Sequence, residues 1–552
     1  LRVTPEAVLG PEATAAVLQQ LRRPAHTKED FATRLYLSGL LLESEIKADR
    51  PYLQELIAES RAIRLSHPGE DRYIDTERTA QYQALTQGDT HSANAALKSL
   101  VLARLEISGP TALEELQQLF AVNTEQLRRT LDELEQEEDR LIRGRLDPHR
   151  PEVESWCERR VFSRIQRLPV SQLRAEIEPI SQTQYCAFLC WWQGLAAANR
   201  HRGRTGLIRS LKQLDGLPLP ATQIEAACLP ARVRNYSIKE LDQLFQAGRY
   251  MWTRLTNKDS GSLVAGSGHL SRSALFSICD ADSVELWRAL YTDRLELSAL
   301  GPAAQQIAAS LAAQGPSFLA RIRAKVDAGA GEMEQGLLEL AAHGHITSDS
   351  YLGLRILLSR PSRYRATRLE QLTEANVGRW SLLPPPMDLS DPVSKDRALI
   401  DYARRLIQRY GIVTRDVVQH EGPRTARYAL ARIFRRLEDR DEIRGGYFVE
   451  GQGGEHFAAK AAAPEINRMR TATGPQYAVM SAADPLNLTG LLGHSERIAR
   501  TTDAQLIFAD GRLAAISEKG EPRPLPDSKL TPEECATRLR ESAPPAALEM
   551  YR

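Results

Sequence analysis

Between residues 409 and 449 the chain reads RYGIVTRDVVQHEGPRTARYALARIFRRLEDRDEIRGGYFV, and its apolar and polar positions fall into four parts. The stretch opens at Gly411, enters a short helix after Thr414, turns at Gly422 and Pro423, and continues in a longer helix. Tyr428, Ala431, Ile433, Phe434 and Leu437 supply the apolar side of that longer helix, and a β segment, IRGGYFV, follows. Helix, turn, helix and β wing predict a winged helix.

The same order recurs at 109–146, at 215–252, at 315–350 and, more loosely, at 24–74. A recurring unit of this length is the signature of a repeat architecture. TNKDSGSLVAGSGHLS at 256–271 and SLLPPPMDLSDP at 381–392 read as linkers between copies. After residue 475 the pattern changes: AQLIFADGRLAAISEKG alternates apolar and polar residues around Asp510-Gly511, a hairpin turn pair. The expected fold is mainly α (α+β), a tandem array of about five winged helices followed by a small β-barrel. The boundaries read as 1–95 (winged helix one with N-terminal helices), 96–150 (two), 151–204 (a helical connector), 205–285 (three), 286–380 (four), 393–465 (five), 470–525 (the β-barrel) and 526–552 (a tail).

Length agrees with several domains, since a single core stops growing near about 250 to 300 residues and this chain has 552. With 42% apolar and 26% charged residues, and 72 basic against 71 acidic, it is neither a bulk polycation nor disordered. The most apolar stretch, YCAFLCWWQGLAAA at 185–198, is shorter than the roughly 20 residues a bilayer requires. No signal peptide is expected, and an opening without Met suggests a fragment. Six cysteines are too sparse for a disulfide framework; Cys186 and Cys190 share a helix face, but no second ligand pair stands near for zinc, so no metal site is expected.

Charge concentrates locally. Residues 403–444 hold eleven arginines and no lysine against six acidic residues. Guanidinium forks match phosphate bidentately, so Arg415, Arg424, Arg427, Arg432, Arg435, Arg436 and Arg444, with Tyr447 in the wing, are candidate DNA contacts. The alternative is a solvated face paired to Glu438, Asp439, Asp441 and Glu442. A second basic segment, RRVFSRIQR, adds Arg159, Arg160 and Arg164. The glycine-rich RGGYFVEGQGGEHFA follows an arginine-rich helix and has no Gly-Lys-Ser/Thr, which makes it a wing and not an ATP loop. Gly445 and Gly446 would let its strand start close to the helix, and Gly451, Gly453 and Gly454 would allow positive φ at its tip.

Several blocks resemble the Lhr (large helicase-related) DNA helicases: GRLDPHRPEVESWCERRVFSRIQRLPVSQLRAEIEPIS, LPLPATQIEAACLPARVRNYSIKELDQLFQAGRYMW, RYGIVTRDVV, RGGYFVEGQGGEHFA and DPLNLTG, in that order from about residue 100 to 516. The resemblance implies the C-terminal region of a protein whose N-terminal superfamily 2 motor is a 3'-5' DNA helicase. This stretch has no GxxxxGK[ST] loop and no Asp-Glu-x-His box, so ATP and magnesium would belong to the motor and no cofactor to this region. It further implies DNA repair, single-stranded or forked DNA and the chain's own helicase core as partners, a homo-oligomer such as a tetramer, and a cytoplasmic, nucleoid-associated location in bacteria without membrane contact. The architecture is similar to AlkZ-type winged-helix DNA glycosylases, which gives two rival readings: a uracil-DNA glycosylase, or a purely structural assembly module. For the glycosylase, Asp484 of DPLNLTG is the candidate catalytic carboxylate, although an Asp-Pro pair is first of all a turn. Gln182-x-Gln184 is similar to the AlkZ Gln-x-Gln pair but stands in a different part of the repeat. The chain departs from the Lhr pattern at Glu455-His456-Phe457-Ala458 and in the tail after 525.

Overall fold

A computed structural model describes residues 9–542 except 23, 26, 67–68, 88–89, 138–139, 168–178, 256–273, 292–294, 359–376, 422–426, 472–475 and 493–495. Two compact units are distinguished. One runs to Pro179 and includes Gly445–His456; the other comprises Ile180–Arg444 and Phe457 onward.

One arrangement occurs in five stretches, here numbered as modules. A helix ends at a glycine, a two-residue strand follows, one or more further helices come next, and two more strands complete a three-stranded sheet with the last strand in the middle. In the first unit, module one has helices Lys28–Ser38 and Arg50–Ala58 and strands Leu41–Leu42, Ala62–Leu65 and Arg72–Asp75. Module two has helices Thr90–Ser108, Leu113–Phe120 and Thr124–Asp132 and strands Thr111–Ala112, Leu141–Gly144 and Ser155–Glu158. In the second unit, module three runs from helix Gly203–Leu214 through helix Ile238–Gln246 to strands Tyr250–Thr253 and Leu275–Asp280. Module four runs from helix Pro302–Gln314 through helix Ala330–Ala342 to strands Ile346–Ser348 and Arg379–Leu382. Module five opens with helix Pro392–Tyr410, followed by helices Arg415–His420 and Arg427–Asp439.

Two sequence features cause the repetition. Gly39, Gly109, Gly216, Gly315 and Gly411 each sit between the first helix and the first strand with φ between 68° and 77°, a conformation that ends a helix and that a side chain resists. On the middle strand an aromatic residue faces the first strand in register: Leu41 with Tyr73, Thr111 with Trp156, Leu219 with Phe276, Ser317 with Trp380, Val413 with Phe457. All five aromatics are buried and anchor the sheet to the helices behind it. Local caps fix the helix starts. Asn123 accepts from the Glu125 amide, Asp391 from Val393 and Ser394 with Pro392 at the first turn, and Thr414 from Val417.

Three expectations change. The Gly/Ser-rich stretch 256–271 lies outside the described residues, but the strands on either side of it, Tyr250–Thr253 and Leu275–Asp280, pair with each other; it joins the two wing strands of module three and is not a linker between modules. Strand Ser155–Glu158 pairs with Leu141–Gly144, so module two continues past residue 150. Instead of a closed barrel, the described residues at the C-terminal end form an open antiparallel meander, Tyr477–Ser481, Ala504–Ala509, Arg512–Glu518 and Glu521–Pro524 in sequential order. Four strands are too few to close around a core, where about eight give a filled barrel. The sheet's apolar residues, Val479, Ile507, Ala514 and Ala515, are instead covered by Leu530 and by Cys535 of helix Pro532–Glu541.

Among the described residues no helix is long and apolar enough to cross a membrane. The six cysteines are free, and burial raises the Cys186 thiol to about 12.

Candidate nucleic-acid interface

Helix Arg427–Asp439 buries Leu430, Ile433, Phe434 and Leu437, and Arg432, Arg436 and Asp439 face outward. Arg432 and Arg436 lie one turn apart on that outer side and Arg440 continues the row; all three are exposed, as is Arg444 at the start of the next strand. Arg436 meets Asp396 at 2.5 Å across a half-exposed pair, an arrangement that contributes little in water and leaves the guanidinium able to exchange partners. Arg435 and Arg415 are half-buried. Arg424 lies outside the described residues, as does the side chain of Arg427.

Other arginines of the same run are structural. Arg404 grips Glu442 with two bonds of 2.9 Å. Arg405 pairs with buried Asp215, and Arg409, 1% exposed, pairs with Glu421 and donates to the Gln213 carbonyl at 2.7 Å. Composition made these indistinguishable from Arg432; the helix face separates them.

In the first unit, Arg159 is half-buried at the start of helix Arg159–Arg167. Arg160 is buried and, with Arg164, converges on Glu455 at 3.3 and 3.0 Å. Those two guanidiniums are committed to a carboxylate and would reach phosphate only by releasing it. Tyr447 stacks on His456 with ring centroids 4.8 Å apart. The His456 Nδ1 accepts from the Phe448 and Val449 amides, which folds the wing tip around the imidazole. Gly451 and Gly454 take the expected positive φ, whereas Gly453 does not: a Cβ there would collide with Asp30.

Asp484 is fully buried in the second unit. Its Oδ2 and Oδ1 receive the two terminal nitrogens of Arg232 at 2.6 and 2.9 Å, and Oδ1 also accepts from the Leu486 amide. Arg232, also 0% exposed, donates further to Gln193 Oε1 at 2.7 Å and to the Cys228 carbonyl. Arg232 escaped the sequence reading because it stands 252 residues from its partner. A cavity of about 610 Å³ nearby is lined by Thr183, Cys186, Tyr477, Leu488, Thr489 and Phe508, among others, but not by Asp484. Gln184 closes a capping box with Ser181 at the start of helix Gln182–Trp192 and donates to the Met469 carbonyl.

Residues 180–266, which cover module three up to its strand Tyr250–Thr253, and 392–478, which contain module five, match the winged-helix domain of the large helicase-related protein. Two segments of the chain are thus similar to winged-helix domains of the Lhr type. Its curated relatives include the Lhr helicase/probable uracil glycosylase of Mycolicibacterium smegmatis, 29% identical over 92% of this chain. The Lhr helicase/uracil glycosylase of Escherichia coli is 26% identical over 85%. The chain spans 35% and 33% of those two relatives, about a third of their length. Among solved structures, the Streptomyces sahachiroi DNA glycosylase AlkZ aligns with a TM-score of 0.38 and 14% identity, over 66% of this chain and 97% of that one.

Proposed function

We propose that this chain is the DNA-binding and self-associating C-terminal region of an Lhr-type DNA repair helicase, acting beside a motor that it does not contain. The observation that carries the reading is the row of exposed arginines, Arg432 and Arg436 on the helix that winged-helix proteins lay along nucleic acid, Arg440 just past its end and Arg444 on the following strand. Such a row binds phosphates irrespective of sequence and is suited to single-stranded or forked substrates. Changing Arg432, Arg436 and Arg444 together to Glu is expected to weaken binding of every DNA sequence and to lower the slope of log K against log salt by about 2 to 3, near 0.7 to 0.9 per lost phosphate contact. Fluorescence anisotropy across a salt series measures both quantities; unchanged values would make module five a scaffold. Self-association predicts a light-scattering mass that is a multiple of the chain's 61.6 kDa, and a strictly monomeric mass argues against it.

A second reading is favoured by the names of both relatives, which include uracil glycosylase. Here the chain would remove uracil from DNA, with Asp484 stabilising the oxocarbenium-like sugar or positioning water. Because Asp484 is enclosed by Arg232, this chemistry requires the pair to open when a base is flipped. A uracil-containing single strand incubated with the chain should become alkali-labile, and Asp484→Asn should abolish the cleavage while the protein stays folded. Cleavage at the wild-type rate in that variant would remove Asp484 from the reaction.

A further inference from the structure

The block DPLNLTG has a structural consequence that does not depend on the Asp484 carboxylate: it clamps the irregular segment downstream of it. Asn487 Nδ2 donates to the Ile498 carbonyl at 3.2 Å and to the Ala482 carbonyl at 2.8 Å. The Thr489 hydroxyl accepts from the Ile498 amide at 2.9 Å while donating to Asn487 Oδ1 at 2.6 Å. Gly490, at φ 76°, lies so close to Arg497 that a Cβ would stand 2.6 Å from the Arg497 Cβ. The Arg500 guanidinium reaches back to the Pro485 carbonyl at 3.3 Å. A stretch without helix or strand is thereby held at both backbone groups of Ile498, with an arginine on either side of it.

Arg497 and Arg500 are exposed, and neither has an ion pair among the described residues. The nearest carboxylate acting on Arg500, Asp484, is already saturated by Arg232. Arg500 instead places a terminal nitrogen 2.6 Å from His420 Nε2, so that imidazole nitrogen is the acceptor and the ring is neutral. Burial above all, and then the positive charge of Arg500 and Arg497, push the His420 pKa down to about 4. Cations that share a small surface repel one another, and a fold that fixes their backbone so firmly, with Glu496 and Asp503 close in sequence yet no ion pair formed to either arginine among the described residues, leaves both guanidiniums open to an anion from outside.

We infer that Arg497 and Arg500, with His420, form a phosphate-binding site, and that in the DNA-binding reading proposed above, on which this assignment of the ligand rests, it holds the backbone of a single strand beside the DPLNLTG block. The block then serves DNA by presenting two guanidiniums, whatever its aspartate does.

The test uses the full chain and a uracil-free fluorescein-labelled single strand, followed by anisotropy between 50 and 200 mM salt. Arg497→Ala/Arg500→Ala is expected to weaken binding about tenfold at the upper end and to lower the salt slope by about 1.4, two contacts at 0.7 each, whereas Arg497→Lys/Arg500→Lys keeps the slope. Alanine at 500 also removes the bonds to the Pro485 carbonyl and His420, so melting temperatures are compared alongside, and Arg497→Ala alone, which breaks neither, is expected to melt with the wild type and to lower the slope by about 0.7. Wild-type affinity and slope in the alanine variant, beside a loss in the Arg432/Arg436/Arg444 variant, overturn the site and leave DNA binding intact. If the wild-type chain binds no DNA, calorimetry with pyrophosphate decides: heat in the wild type that disappears in the alanine variant supports a site for a free phosphate compound, and no heat in either overturns it.

Discussion

Asp484→Ala should cost the second unit about 3–5 kcal/mol, the range for removing one partner of a buried ion pair. The reason is the charge left behind. Arg232 is fully buried, and of its contacts only Gln193 Oε1 and the Cys228 carbonyl would remain, neither of them charged. Arg232→Met should be comparably destabilising, since it strands Asp484. The double variant Arg232→Met/Asp484→Leu should recover most of the loss, because apolar residues of similar volume often replace a buried pair at little or no cost. Urea denaturation of the four proteins measures this, and an Asp484→Ala variant as stable as wild type would mean that the pair supports nothing. The result also governs the glycosylase assay. In Asp484→Asn an amide nitrogen is brought against the Arg232 donors, so loss of cleavage alone is ambiguous. If cleavage falls equally in Arg232→Met and Asp484→Asn at matched loss of stability, the pair is a strut; if it falls only in Asp484→Asn, the carboxylate takes part in the chemistry.

The contrast between what sequence predicts here and what it misses follows the distance over which each cause acts. The module pattern is local. Gly-Pro-Thr at 109–111 and Gly-Pro-Ser at 315–317 mark the positive-φ turn between first helix and first strand, and apolar spacing marks the buried side of helix Arg427–Asp439. Module one was legible only loosely, because its turn glycine, Gly39, lies inside a stretch of mixed polarity with no proline after it. The glycines and serines of 256–271 have the composition of a linker, and composition does not say whether the strands on either side pair with each other. Candidate sites fared according to the same rule. That Arg432 and Arg436 are exposed follows from helix phase, whereas the surroundings of Arg160, Arg409 and Asp484 depend on Glu455, Glu421 and Arg232, and two of those three partners lie hundreds of residues away. Arg497 and Arg500 sit in a segment with no periodicity at all, and only the hydrogen bonds from Asn487 and to Thr489 reveal that it is held in place.

Arg355→Ala should likewise cost about 3–5 kcal/mol, and its manner of unfolding tests whether modules three and four are independent beads. They share one apolar core, which runs from Leu207 through Trp252 to Trp380, and the two tryptophans meet edge to face at 6.0 Å. Helix Tyr351–Leu358, inserted between the wing strands of module four, carries Arg355 onto module three. There the guanidinium takes Glu225 with bonds of 2.7 and 2.8 Å and Asp242 with bonds of 3.0 and 3.1 Å. Glu225 is fully buried and also accepts from the Tyr236 hydroxyl at 2.8 Å, a neutral donor. Alanine therefore takes from a buried carboxylate the guanidinium that grips both of its oxygens. Because the apolar contacts between the modules remain, the variant should still unfold in one transition, at a lower midpoint by circular dichroism and by tryptophan fluorescence alike. Two separated transitions would show that Arg355 alone couples the modules, and an array of separable winged helices would then describe this part of the chain better than one continuous core.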